Sequence, residues 1–146
     1  MNFRLVTGDW AALQPDAQAV RYDVFVIEQQ IPVELEWDQM DAQCLHAVAY
    51  LLDDDDGAEQ AVGTGRLLPD GHIGRMAVKQ AARGTGLGGV ILQALMDAAQ
   101  QRGDQVVRLN AQTHAEPFYQ RHGFVREGDE FIEAGIPHIQ MQHSFG

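Results

Sequence analysis

Apolar positions along the chain alternate between two periods. Phe3 and Leu5 share one parity in Asn2–Val6, which predicts a short strand ended by Thr7–Asp9. From Pro15 the period lengthens: Ala19, Val20, Val24, Val26 and Ile27 form a stripe that predicts a helix to Gln29, with proline suited to its first turn. Alternation returns in Cys44–Leu52 around Leu45, Ala47 and Ala49, then in Ala61–Leu68 and His72–Val78. Pro69-Asp70-Gly71 separates the last two, so they read as a hairpin. Leu87, Val90 or Ile91, Leu95 and Ala98 recur at helical spacing as far as Arg102, where Gly103 stops the helix. Val106–Ala111 reads as a strand, Glu116-Pro117 opens a short helix closed by Gly123, and Phe124–Glu127 returns as a strand. Phe131–Met141 is a last extended segment that Gly135 and Pro137 make irregular.

A chain of 146 residues suits one domain, 1–146, with a sizeable core. No run reaches the length of a membrane span, and MNFRLVTGDW lacks the charged and apolar regions of a signal peptide. The single cysteine, Cys44, cannot form an internal disulfide, so a cytoplasmic enzyme or binding domain is expected. The net charge of −11, with Lys79 the only lysine, argues against a nucleic-acid partner. It suits steering of a cationic small molecule, although solubility explains it as well. The run Asp53–Asp56 reads as a solvated turn. The six histidines are scattered, with no H-E-x-x-H and no Cys/His cluster, so no metal is expected.

The chemistry concentrates after the strand His72–Val78. Four of the six residues from Gly84 to Gly89 are glycine: Gly84, Gly86, Gly88 and Gly89. They lead directly into a helix. The first turn of a helix has unpaired N–H groups and a partial positive charge, and glycines let an anion approach them. Arg83 at the loop mouth can add a charge-assisted bond. Gly84, Gly86 and Gly89 satisfy G-x-G-x-x-G, but no first-strand position and no downstream acid support a dinucleotide fold. A Walker loop would need Gly-Lys-Ser/Thr, which is absent. The pattern R-x-x-G-x-G, as Arg83, Gly86 and Gly88, resembles the coenzyme A pyrophosphate site of the GNAT N-acyltransferase superfamily.

Three further stretches carry the resemblance, in order. Arg21, Val24, Phe25, Val26, Glu28, Gln29 and Pro32 match the R-x-x-V-F-V-x-E-Q-x-x-P signature of the ElaA-like branch. Tyr119–Phe124, YQRHGF, resembles the superfamily's Y-x-x-x-G-F, with Gln112 where asparagine is frequent seven positions earlier. GIPHIQM near the end again resembles ElaA-like proteins. Phe25 is expected in the core and Glu28 in a structural hydrogen bond near the helix end.

The resemblance implies an α/β fold: a mixed, mostly antiparallel sheet of six or seven strands, splayed centrally, with helices on both faces. Strands 72–78 and 106–111 should part and leave backbone groups for a pantetheine arm. The coenzyme would lie against Met76, Ala77 and Val78, the loop of Arg83, Gly84, Thr85, Gly86, Leu87, Gly88 and Gly89, and Gln112 and Tyr119. The implied reaction is direct transfer of acetyl from acetyl-CoA to the primary amine of a small molecule or peptide. Backbone N–H groups around Ala77 and Val78 would hold the developing oxyanion, and Tyr119 would protonate the leaving thiolate. His46 or Glu34 would serve as base, through water. Glu34, Glu36, Asp38 and Asp41 precede the strand that carries His46, and three of these four acids are expected to face solvent. A homodimer is compatible with the pattern. Two other readings stay open. R-x-x-V-F-x-x-E followed by acids and Arg66 also resembles acyl-homoserine-lactone synthases, which share this fold, and a non-catalytic CoA-binding sensor could keep the loop. Stabilisation by S-adenosylmethionine rather than CoA would distinguish the first, and thiol release from acetyl-CoA the second.

Overall fold

The computed structural model describes residues 2–146. Strand β1 (Asn2–Gly8) leads to helix α1 (Trp10–Arg21), whose cap is Asp9: its carboxylate accepts the N–H of Ala12 at 2.9 Å. The helix therefore starts five residues before Pro15, which lies inside it. A capping carboxylate outweighs the single i→i−4 bond that a proline removes. The expected helix runs on past Arg21, but as a π-helical turn, Tyr22–Glu28, with Gln29 N–H bonding to Val24 O across five residues. A one-turn helix α2 (Val33–Glu36) follows.

Strands β2 (Leu45–Leu52), β3 (Glu59–Leu67) and β4 (Ile73–Val78) join β1 in an antiparallel sheet of order β1-β2-β3-β4. Helix α3 (Leu87–Gln101) then leads to β5 (Val106–Gln112) and α4 (Glu116–Arg121). Three more strands, β6 (Val125–Arg126), β7 (Phe131–Glu133) and β8 (Ile136–Ser144), complete a second sheet in which β8 pairs with β5, β6 and β7. The architecture is the expected mostly antiparallel α/β arrangement, with two differences. Among the described residues there are eight strands rather than six or seven, and they form two four-stranded sheets. The extra strand arises because the last extended segment folds back at Ala134 and Gly135, both at positive φ, into a β7–β8 hairpin. The two sheets meet where β4 approaches β5, through one parallel bridge between His72 and Arg108.

β2 is buried on both faces. Ala47 and Ala49 join the core with Ile91, Leu92 and Leu95 of α3, while Val48 and Tyr50 pack with Leu13 and Ala17 of α1. Helices thus cover both faces of the first sheet. Close seating of α3 depends on two glycines of β3: a Cβ at Gly63 would stand 2.7 Å from Ile91, and one at Gly65 would stand 2.9 Å from Leu95. The turn Asp53–Asp56 is exposed, as its charge suggests. No helix of the described residues is long and apolar enough to cross a membrane.

Candidate active site

β4 and β5 touch at His72 and Arg108 and pair nowhere beyond. The gap between them opens into a cleft of about 770 Å³. Met76, Ala77 and Val78 line one wall, Leu109, Asn110 and Gln112 the other, and Tyr119 is part of the lining. Backbone direction selects which strand groups are free. Lys79 N–H donates to Val62 O in β3, so by alternation Val78 turns its N–H and C=O toward the cleft. Ala77, the residue between two such positions, points its groups back into the sheet. Of the pair expected to hold an oxyanion, only Val78 therefore offers an unpaired N–H at the open edge.

Arg83 lines this cleft and the glycine loop follows it directly in the chain, although Gly84–Gly89 are not themselves among the lining residues. Gly84 and Gly86 have φ of +76° and +83°, and a Cβ on either would meet nothing within 4 Å. Both observations describe a turn that only glycine adopts freely, facing open space. Gly86 caps α3 with no side-chain bond, and the first helical bond is Val90 N–H to Gly86 O. The N–H groups of Leu87, Gly88 and Gly89 are thus the helix's unpaired donors. Gly89 also lets the end of α4 pack closely, since His122 lies 3.0 Å from where its Cβ would be, whereas a Cβ at Gly88 would make ordinary contact with Phe118. Thr85 Oγ1 braces the loop by donating to Ala82 O at 2.6 Å. Arg83 donates to Val78 O, and its other two nitrogens form a bidentate pair with Glu28 at 2.6 Å. Gln112 exchanges amide hydrogen bonds with Gln29, which ties β5 to the π-helical turn.

Tyr119 is 9% exposed, with its ring edge-on to Phe118 and Phe124. Burial alone pushes its phenol up to about 12, so it keeps its proton at any neutral pH.

The inner end of the cleft differs from the sequence expectation. Glu36 and Asp41 are each 3% exposed, and with Asp38 they form an ion network with three arginines. Arg21, 1% exposed, donates to Glu36 at 2.6 Å and to both Asp41 oxygens, with Trp10 and Trp37 flanking its guanidinium. Arg66 donates to Asp38 and Asp41 at 2.8 Å. Arg75 makes only two hydrogen bonds, both at 3.4 Å. The Arg66 hydrogen bonds, resisted by partial burial, hold Asp38 down to about 2. Burial pushes Glu36 up, against the pull of Arg21. The acid cluster is therefore not mostly solvated. Its burial is possible because three arginines from α1, β3 and β4 converge on it, and no local sequence pattern reveals that.

Glu34 is exposed and outside the cleft lining. His46 is 1% exposed, stacks on Trp10 at 4.7 Å and donates from Nε2 to Asp41 O at 2.8 Å. Burial lowers its pKa and keeps it neutral. Its even parity on β2 puts it on the α1 face with Val48, behind the ion network. Neither expected base borders the cleft. His138 does. Its Nδ1 donates to Ile136 O at 2.7 Å, and its Nε2, in the cleft wall, lies 3.6 Å from Glu133. The sequence marked its position only through GIPHIQM. Among the described residues no group of His, Cys, Asp or Glu could hold a metal ion.

Comparison with known proteins places this geometry. Residues 17–145 match the model of an acetyltransferase (GNAT) domain. The chain is 45% identical over 130 residues to the uncharacterized N-acetyltransferase YjcF of Bacillus subtilis, covering 86% of this chain and 89% of the relative. An acyl-CoA N-acyltransferase from Pseudomonas aeruginosa superposes with a TM-score of 0.84 at 32% identity, over 98% of this chain and all of that one. Escherichia coli ElaA gives 0.82 at 26% identity, over 98% and 100%.

Proposed function

The chain belongs to the GNAT acetyltransferase family and is an acyltransferase, and on that premise we propose that it moves acetyl from acetyl-CoA directly to a primary amine. The carrying observation is the cleft itself: an open strand edge at Val78 that leads to a helix start with bare N–H groups behind Gly84 and Gly86. An open strand edge and bare helix N–H groups are the donors that a pantetheine arm and a pyrophosphate would use. Acetyl-CoA supplies an activated thioester.

The protein's own groups then divide the work. Val78 N–H stabilises negative charge on the carbonyl oxygen as the amine nitrogen bonds to carbon. Nε2 of His138 takes the proton that nitrogen must lose, since an alkylamine with a pKa of about 10.4 is protonated at pH 7. Glu133 lies where it steadies the resulting imidazolium. As the carbon–sulfur bond breaks, sulfur takes the Tyr119 proton, and the phenolate is reprotonated through water by the second proton that the attacking nitrogen sheds. The net products are an amide, a free thiol and one proton. Arg83 and Gln112 stay with the coenzyme, Arg83 near its phosphates and Gln112 along its arm.

Two measurements test this reading. CoA at about 100 times Kd should stabilise the fold by roughly 2.7 kcal/mol, seen as a rise in Tm, and acetyl-CoA with a panel of amines should release thiol. Stabilisation by S-adenosylmethionine and not by CoA would overturn the reading in favour of a lactone-synthase-like enzyme. Binding of CoA with no thiol release from any amine would make the chain a sensor.

A further inference from the structure

We propose that Arg75 binds a carboxylate on the acceptor, so that the preferred substrate is an amino acid or other amine carrying a carboxylate. The inference deepens the transferase reading and rests on it. It starts from the β3–β4 register. Thr64 pairs with Ala77 and Arg66 with Gly74, so one residue of β3, Gly65, faces two of β4, Arg75 and Met76. That is a β-bulge, and its first residue has φ +50°. A long side chain at positive φ is strained, and glycine would be free of that strain. The fold nevertheless has arginine there, and the bulge aims it into the cleft lining.

The arginine is poorly occupied where it lies. Its Nε is buried without a hydrogen-bond partner, 3.5 Å from Glu36 Oε1 in a loose ion pair, and among the described residues its hydrogen bonds are those two to Glu36 O and Asp38, at 3.4 Å. Arg21 and Arg83, by contrast, make close bidentate pairs at 2.6–3.1 Å. Arg66 shares the shortfall: 5% exposed and also lining the cleft, it has an unpartnered Nε. Three arginines face three acids, and two of the arginines, Arg66 and Arg75, keep an Nε with no hydrogen-bond partner. The inner end of the cleft therefore has guanidinium N–H donors to spare inside a protein of net charge −11. A guanidinium with free parallel donors is matched by a planar, two-oxygen anion. A carboxylate is that anion in its simplest form, and an amine that bears one can present its nitrogen to the cleft while the anion is held.

The test is thiol release from acetyl-CoA with matched acceptors: L-amino acids, the corresponding L-amino acid amides, and ω-aminoalkylphosphonates. The amides keep the amine and side chain and lose only the negative charge. Wild type should prefer acids to amides by about tenfold or more in kcat/KM, mostly through KM. In Arg75→Met the acid-to-amide ratio should collapse toward one, and Arg75→Lys should retain part of it. Arg75→Gly should lose the ratio too while Tm stays at or above the wild-type value, because the positive φ suits glycine. That variant separates a lost contact from a lost fold. Equal rates for acids and amides in wild type, or an unchanged ratio in Arg75→Met, would overturn the proposal. A phosphonate preferred over the acids would overturn carboxylate as the ligand. Failure of every acceptor class to release thiol, while CoA still raises Tm, would overturn the transferase reading and this inference with it.

Discussion

The two ends of the cleft are built by different means. At the coenzyme end the parts are backbone: the open edge of β4 at Val78, the turns at Gly84 and Gly86, the bare start of α3. Side chains there only brace, and the charged pair next to the loop, Arg83 with Glu28, is about 40% exposed on both sides. At the inner end the parts are side chains from α1, α2, β3, β4 and the segment before β2, and Arg21, Glu36 and Asp41 are almost wholly buried. Backbone donors cannot be mutated away one at a time, whereas a buried ion network fails when a closely paired, fully buried member such as Arg21 is removed. The coenzyme end should therefore tolerate substitution in stability terms, and the inner end should not.

The largest expected effect follows from that contrast. Arg21→Met removes the central cation and leaves Glu36 and Asp41 facing each other in the interior. Breaking a buried pair from one side costs about 3–5 kcal/mol. A urea-denaturation midpoint should fall accordingly, and a loss under about 1 kcal/mol would mean the network is solvated and the two ends are alike. Acid should also reach the inner end first. His46 has a depressed pKa in the folded state, so its contribution is present above the unfolded value near 6.5 and is lost as pH falls through the lower folded value. Asp38 adds a loss from about pH 4 down toward 2, while Glu36, whose pKa is raised, works in the opposite direction. His46→Gln keeps a donor for Asp41 O and removes the titration. Its stability should change less between pH 7.5 and 5 than that of wild type. A fall in transfer rate with unchanged stability would instead return His46 to the chemistry.

Next in size is Tyr119→Phe, which probes the point where the two ends meet. The ring stays between Phe118 and Phe124, so the fold should hold. Chemistry should slow by at least about 100-fold with little change in CoA affinity, measured under single-turnover conditions. The deficit should be constant from pH 6 to 9, because the phenol in wild type stays protonated until about 12. A wild-type rate where chemistry is limiting would make Tyr119 a packing residue.

The same contrast explains how much the sequence revealed. The glycine loop was readable because its chemistry is local: Arg83, Gly86 and Gly88 are neighbours, and a strand before them with a helix after them dictates the geometry. The hydrophobic periods likewise located the main strands and α3. The inner end was not readable, since Arg21, Glu36, Asp41, Arg66 and Arg75 are spread over 55 positions and only the packing of α1 on the first sheet, together with the β2–β3 and β3–β4 registers, brings them together. Four acids in eight residues look solvated until the arginines that face them are known. The bulge that aims Arg75 inward, and the turn at Ala134 that brings His138 to the cleft, depend on positive φ at residues whose type gives no sign of it.

The smallest expected effect is the most discriminating for the coenzyme end. Glu28 holds Arg83 through two short hydrogen bonds, and Arg83 in return lowers the Glu28 pKa. Both side chains are half-exposed, so the pair should add less than about 1 kcal/mol to stability. Its meaning lies in competition. A phosphate bound at the loop and the Glu28 carboxylate would seek the same guanidinium. Glu28→Gln keeps the shape and removes the charge, which should tighten CoA binding by a few-fold and make it more sensitive to salt, as freed Arg83 takes a phosphate. Arg83→Gln should weaken CoA to a similar degree. Glu28→Gln placed on Arg83→Gln should then change little, since the group being competed for is gone. Calorimetric titration of the four proteins at two salt concentrations measures all of this. Weaker CoA binding in Glu28→Gln alone would show the opposite arrangement: Glu28 would be the strut that keeps Arg83 aimed at the loop, and the coenzyme end would then depend on side chains after all.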